Sequence, residues 1–207
     1  MNEHIINRLA KLRKKMDAKG LDAVLVLMRE NCTYLSGFTG TSACLVISRG
    51  DAILITDFRY AEQASLQAPL YEIVKYEGNA VAAIGEVLKS RGMDKVGFEE
   101  TYLAYNKYIE YREKLGIKEF LPLEGAIENL RMVKDEKEIN IIKKAVEIAD
   151  NAFAHVLKYI KPGVSEIDIA AEIEYFMRKS GAFKASFDTI VASGERSSMP
   201  HGVASER

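Results

Sequence analysis

Three histidines and two cysteines are the residues here whose chemistry is least ordinary: His4, His155, His201, Cys32 and Cys44. His4 lies beside the N-terminus and reads as a solvated side chain. His155 sits between Ala154 and Val156 at the edge of an apolar stripe, where a helix-surface or partly buried histidine is the plain reading. His201 differs from both. It follows a run of small and flexible residues, Ser193-Gly194-Glu195-Arg196-Ser197-Ser198, and is held between Pro200 and Gly202. Proline stiffens the approach, and glycine lets a ligand or another backbone come close. Loops leaving strand ends frequently carry function. His201 is therefore a candidate site residue, set against the alternative of a loop histidine with no role.

A hydrolase that uses two metal ions needs carboxylates and a histidine converging on a shared water, whose pKa the metals lower. Beyond residue 180 the carboxylates are Asp188, Glu195 and Glu206. Asp188 lies in a predicted strand with no acidic partner alternating with it. The residues present supply no metal ligand set. The cysteine spacing fits no metal knuckle, and Cys44, inside the apolar run Ala43 to Ile47, reads as a buried thiol. No H-E-x-x-H, G-x-S-x-G or phosphate-loop pattern occurs. Ser197 and Ser198 have no base placed for them and read as solvated loop serines.

Two further segments have dual readings. Asp57 in Thr56-Asp57-Phe58-Arg59-Tyr60 can cap a following helix, and Arg59 can pair with a carboxylate. The glycine- and aromatic-rich stretch from Asn31 to Gly40 reads as a loop after the first strand. It could line a cleft, because ligands in α/β sheets gather at strand C-terminal ends. The alternative is a turn packed by its own aromatics.

These residues must be positioned by regular elements. Ile5, Ile6, Leu9, Leu12 and Met16 recur at helical steps, predicting an amphipathic helix over 3–18 closed by Gly20. Ala23 to Met28 is a continuous apolar run, which suits a strand buried on both faces. Strands at 43–48 and 52–56 flank Arg49-Gly50-Asp51, a hairpin signal. Helix at 58–67, strand at 71–75, helix around 81–88, strand at 95–98, helix at 104–115 and strand at 118–121 follow. Strands alternating with helices indicate an α/β layer. A short helix at 125–131 comes next. A long helix after Asp135 follows the stripe Ile142, Ala145, Val146, Ala149, Ala152, Phe153, Val156 and Ile160 as far as Lys161-Pro162-Gly163. Ser165-x-x-Asp168 opens another helix as a capping box, and Phe187 to Ser193 reads as a strand.

Hydrophobic residues make up 48% and charged residues 29% of the chain, as in soluble globular proteins. A net charge of −1 gives no general attraction to nucleic acid or to an anionic membrane. No apolar run has the length of a membrane span, and no signal peptide is visible. A reduced, cytoplasmic setting is expected.

At these residues the chain resembles the Xaa-Pro peptidases, prolidase and aminopeptidase P, of the creatinase-like superfamily. Tyr34-Leu35-Ser36-Gly37-Phe38-Thr39-Gly40 and Thr56-Asp57-Phe58-Arg59-Tyr60 look like signatures of that family's N-terminal domain. Arg131-x-x-Lys134-x-x-x-Glu138-Ile139 looks like the opening of its catalytic domain. Gly181-Ala182-Phe183, Ser186 to Gly194 and Pro200-His201-Gly202 are similar to that domain's first half.

The resemblance implies an α/β fold. A creatinase-like mixed sheet flanked by helices would occupy 1–124, and an incomplete α+β pita-bread domain 125–207. It implies hydrolysis of a proline-containing peptide by a water bridging two divalent cations, manganese, cobalt or zinc. His201 would face the substrate and stabilise developing charge, and Phe187 would lie near the pocket wall. The family's metal ligands follow Pro-His-Gly, so none is carried onto this chain, which alone is expected to bind no cation and to be inactive. A homodimer through the first domain is possible by resemblance. The alternatives are a non-catalytic peptidase-like binding module and another hydrolase of the superfamily. Dipeptidase and aminopeptidase P are not separable on these residues.

Overall fold

The computed structural model describes residues 2–207, and the chain divides into two compact units, Met1–Val133 and Lys134–Arg207. The first unit begins with α1 (Glu3–Lys19), β1 (Ala23–Val26), α2 (Arg29–Ser36), β2 (Ala43–Ser48) and β3 (Ala52–Asp57). It continues with α3 (Ala61–Gln67), β4 (Glu72–Tyr76), α4 (Ala80–Ser90), β5 (Lys95–Phe98), α5 (Tyr105–Lys114), β6 (Glu119–Pro122) and α6 (Ala126–Met132). The strands form one sheet in the order β4-β3-β2-β1-β5-β6. β2 runs antiparallel to both β1 and β3, and the remaining pairs are parallel. The expected mixed sheet flanked by helices is present.

Side chains of a strand alternate between faces, and the sheet has a core on each side. Val24, Val26, Leu45, Ile47 and Leu54 point into one core with Leu9, Leu12 and Met16 of α1. Ala23, Leu25, Val46, Ile53 and Ile55 point into the other with Ile84 and Leu88 of α4. All four residues of β1 are buried, as its unbroken apolar run requires. α1 stops at Gly20, which adopts φ 61°, while Leu21 N–H donates to Met16 O at 3.0 Å. That left-handed turn is cheap only for glycine. Gly97 in β5 is needed for a different reason: a Cβ there would come within 2.7 Å of a Leu123 methyl and 2.8 Å of a Leu21 methyl.

One expectation changes in this unit. The 31–40 stretch is not wholly a loop, because its first half forms α2. Asn31, Cys32, Tyr34 and Leu35 share a buried face, and that packing overrides the turn-like composition. Ser36 Oγ donates to Cys32 O at 2.6 Å, and Gly37, φ 81°, ends the helix. By its contacts the first unit runs on to Val133. Ala126 and Ile127 of α6 are buried in the core shared with α1, so α6 belongs to the first unit.

The second unit holds α7 (Glu136–Val156) and α8 (Glu166–Lys179). Both open with capping boxes. Glu138 N–H donates to Asp135 Oδ1 and Asp135 N–H to Glu138 Oε2, each at 2.9 Å. Asp168 N–H donates to Ser165 Oγ at 3.2 Å, and Ser165 Oγ donates back to Asp168 Oδ2 at 2.7 Å. α7 ends at Val156, earlier than its apolar stripe suggested. The chain tightens there, with Lys158 N–H reaching His155 O and Tyr159 N–H reaching Val156 O. His155 is structural: Nε2 lies 2.6 Å from Glu172 Oε1, and its ring stacks on Phe176. Ile141, Ile142, Val146 and Phe153 of α7 are exposed. No helix among the described residues is long and apolar enough to cross a membrane.

The strand expected over 187–193 is not formed among the described residues. The segment contributes a single antiparallel bridge, Ile190 to Val203. A strand exists only with a neighbour to take its backbone groups, and here one residue finds one.

Candidate functional site

The loop that carries His201 is built on the N-terminus of α8. Ser165 caps that helix, so Glu166 is its first helical residue, where amide groups lack intrahelical acceptors. Those amides are used by the loop. Glu166 N–H donates to Arg207 O at 2.8 Å and Ile167 N–H to Ser205 O at 3.1 Å. The Glu166 side chain is 2% exposed and gathers both limbs of the loop. Oε1 accepts from Ser193 N–H at 2.7 Å and from Ser193 Oγ at 3.0 Å. Oε2 accepts from Ser205 Oγ at 2.6 Å and from Ser205 N–H at 3.1 Å. Arg196 Nε lies 3.3 Å from Oε2. A buried carboxylate is tolerated only when donors satisfy its lone pairs, and here every neighbour is a donor. The Ser205 hydroxyl, with the Ser193 and Ser205 amides, holds the carboxyl near a pKa of about 2, against the upward push of burial.

Between those limbs the loop is braced internally. Gly194–Ser198 forms one 3-10 turn, with Ser197 Oγ on Gly194 O and Ser198 Oγ on Glu195 O. Arg196 Nη2 donates to Val203 O at 2.6 Å. Gly202 N–H donates to Met199 O at 3.2 Å, closing a turn whose central residues are Pro200 and His201. Proline pre-sets the first central position of such a turn. Gly202 is buried, and a Cβ there would lie 3.0 Å from the Ala192 Cβ. The close approach expected of this glycine is thus to the chain's own Ala192.

His201 consequently stands exposed at the corner of a turn fixed from both sides. Among the described residues no hydrogen bond engages its ring. Phe187 is 75% exposed, three positions before the bridging Ile190. No described contact joins Phe187 to His201. What is brought together is the pair of loop limbs and Glu166. Sequence reasoning missed Glu166 because its partners lie 27 and 39 residues away. Its one local signal is an acidic residue in the first turn behind a capping serine.

The remaining candidates are structural. Asp57 and Arg59 form a two-point ion pair, 2.7 and 3.1 Å, and Arg59 N–H also donates to Asp57 Oδ1. This side-chain pairing lowers the Asp57 carboxyl to about 2, and Tyr60, not Asp57, occupies the cap of α3. Burial pushes the Cys44 thiol up to about 12 and raises Cys32 as well, so neither is a ready nucleophile. At the C-terminal ends of β1 and β5 a polar network does form. Glu99 accepts from Leu27 N–H, Met28 N–H and Asn31 Nδ2, at 2.6, 2.8 and 2.7 Å. Asn31 also meets Glu128 and Arg131. Its groups serve one another and lock α2 and α6 to the sheet.

No three His, Cys, Asp or Glu side chains converge as a metal site among the described residues. Asp188 and Glu195 are exposed on separate parts of the loop region. The donor set among the described residues does not fit a metal pair.

A six-stranded mixed α/β sheet, followed by a capped helical pair that anchors a Pro-His-Gly turn, defines a two-part α/β class. Residues 8–133 match the Creatinase/Prolidase N-terminal domain and residues 140–207 match metallopeptidase family M24. The chain belongs to the creatinase/prolidase family. It is 42% identical over 200 residues to the uncharacterized peptidase YqhT of Bacillus subtilis, covering 97% of this chain and 57% of that one. It is 39% identical to an Xaa-Pro dipeptidase of Pyrococcus horikoshii, covering 100% and 56%. Among solved structures, an Xaa-Pro dipeptidase from Bacillus anthracis superposes with TM-score 0.90 at 46% identity, covering 98% and 57%. An X-Pro aminopeptidase from Thermotoga maritima superposes with TM-score 0.85 at 35% identity, covering 94% and 56%. The chain spans a little over half the length of these relatives.

Proposed function

We propose that residues 1–207 are the N-terminal part of a metallopeptidase that hydrolyses the peptide bond before proline. The observation that carries this reading is the exposed His201 at the corner of a turn braced by Glu166, within a chain whose relatives include Xaa-Pro dipeptidases. An imidazole held at a fixed, unencumbered position can donate to the oxygen on which charge develops during acyl transfer. Such a preorganised donor is worth about 10²–10³ in kcat. Phe187 offers an apolar ring to a prolyl side chain, the kind of contact that lines peptide pockets.

In this reading two divalent cations, manganese, cobalt or zinc, would supply the Lewis acidity that activates water. Their ligands are not among the described residues, so the 207-residue chain by itself is inactive. The substrate is a proline-containing peptide, with no nucleic acid or membrane involved, and a homodimer is compatible with the reading. Two free, buried cysteines suit a reducing, cytoplasmic setting.

The test is hydrolysis of dipeptides ending in proline, against matched dipeptides ending in alanine, by the full-length gene product and by residues 1–207. The full-length protein should cleave the proline series alone, lose activity with a chelator and regain it with one of the three metals. The shorter chain should be inert. Chelator-resistant cleavage, or equal cleavage of the alanine series, would overturn the proposal.

A further inference from the structure

Every polar group that faces the Glu166 carboxylate is a hydrogen-bond donor, and those donors come from both ends of the loop that carries His201. Ser193 precedes the 3-10 turn, Ser205 follows the Pro-His-Gly turn, and each offers both its amide and its hydroxyl to one oxygen of Glu166. Arg196, from the middle of the loop, lies against the same carboxylate and also holds Val203 O. The loop backbone outside this clamp is joined across by one β-bridge. Without the acid, two serine amides and an arginine would point at a space with no acceptor. The carboxylate also sits on the first turn of α8, whose amides already hold Ser205 O and Arg207 O.

We propose that Glu166 is a positioning residue for His201: its ionised carboxylate clips the two limbs of the 193–205 loop to α8 and so fixes the turn that presents the imidazole. The inference rests on the reading of His201 as the residue that faces substrate. Charge is required as well as shape. A glutamine of the same size would turn an NH2 group toward one of the serine amides, donor against donor, and that limb would be released.

The experiment uses the full-length gene product with Glu166→Gln, and measures amide hydrogen exchange together with steady-state kinetics on a dipeptide ending in proline. Exchange at the Ser193 or Ser205 amide should quicken by about tenfold or more while the α7 amides stay protected. kcat should fall about 10- to 100-fold, because a small misplacement of a catalytic group is costly. KM should stay within about threefold, since a donor to the developing oxyanion acts in the transition state rather than in ground-state binding. Wild-type exchange at both serines would show that there is no clamp. Faster exchange with wild-type kcat would show a clamp that does not position His201. If Glu166→Gln does not fold, Ser193→Ala and Ser205→Ala decide instead: each removes one hydroxyl and keeps the charge. Each should lower kcat several-fold at constant KM, and an unchanged kcat in both would overturn the proposal. Wild-type protein unable to cleave the dipeptide would remove the functional reading, while the exchange measurement would still decide the clamp.

Discussion

His201 could be singled out from residue types alone, because proline before it and glycine after it describe a stiff turn closed by a small residue. The structure supplies what the types could not: which neighbour the glycine admits, and what holds the turn. Gly202 lies against Ala192, so Gly202→Ala should force the two limbs apart by several tenths of an ångström. We expect it to cost roughly 1–3 kcal/mol by overpacking, read as a lower urea midpoint for the second unit. Glu166 was illegible because an acidic residue in a helix's first turn is what the helix dipole favours anyway. Only tertiary contacts separate a clamp from an ordinary first-turn acid. Its titration gives a signed prediction. The folded carboxyl titrates at about 2 against an ordinary 4.5. The clamp therefore stabilises the loop fully above pH 4.5, and that contribution is lost as pH falls through 2. Exchange protection at Ser193 and Ser205 should fade over that window and be flat from pH 5 upward, whereas protection that persists at low pH would contradict the assignment.

At the scale of elements, the segments read most accurately were those whose local chemistry and burial agree. α1 with its closing Gly20, the β2–β3 hairpin and both capping boxes were visible as patterns, and each appears where expected. α2 was hidden because Gly37, Gly40 and the aromatics suggested a loop, while the decisive term was the burial of Asn31, Cys32 and Leu35. The 187–193 segment has the composition of a strand but pairs at one residue, since apolar β-branched residues do not themselves provide a neighbour. The Asp135 box starts the longest helix among the described residues. Asp135→Ala should lower stability by about 1 kcal/mol, typical of a lost cap, measured as a shift in thermal unfolding. An Asp135→Ser variant, which retains the acceptor, should recover most of it, and no recovery would mean that the cap is not what Asp135 contributes.

For the whole molecule, the α/β class was legible from strands alternating with helices and then giving way to long helical stripes. The place of α6 was not, because it has no sequence mark that says which core it joins. Ala126 and Ile127 decide it by burial beside α1. The first unit owes its integrity to the two cores flanking its sheet. Leu54 at its centre is fully buried, so Leu54→Ala should cost about 2–5 kcal/mol, read from chemical denaturation followed by a first-unit probe. The second unit leaves Ile141, Val146 and Phe153 exposed, and its stability rests on few buried side chains, Ala152, Val156 and Ile169 among them. The catalytic proposal therefore depends on a loop set by polar contacts rather than by a large core, which is why a single carboxylate can matter so much to it.

The most direct test of the central claim is the kcat of the full-length gene product on a dipeptide ending in proline, before and after His201→Ala. A fall of about 10²–10³ with KM little changed is the expected result, as for removal of a preorganised donor to a developing oxyanion. A kcat within twofold of wild type would contradict the account, because the turn that Glu166 and its serines hold would then present nothing the reaction uses.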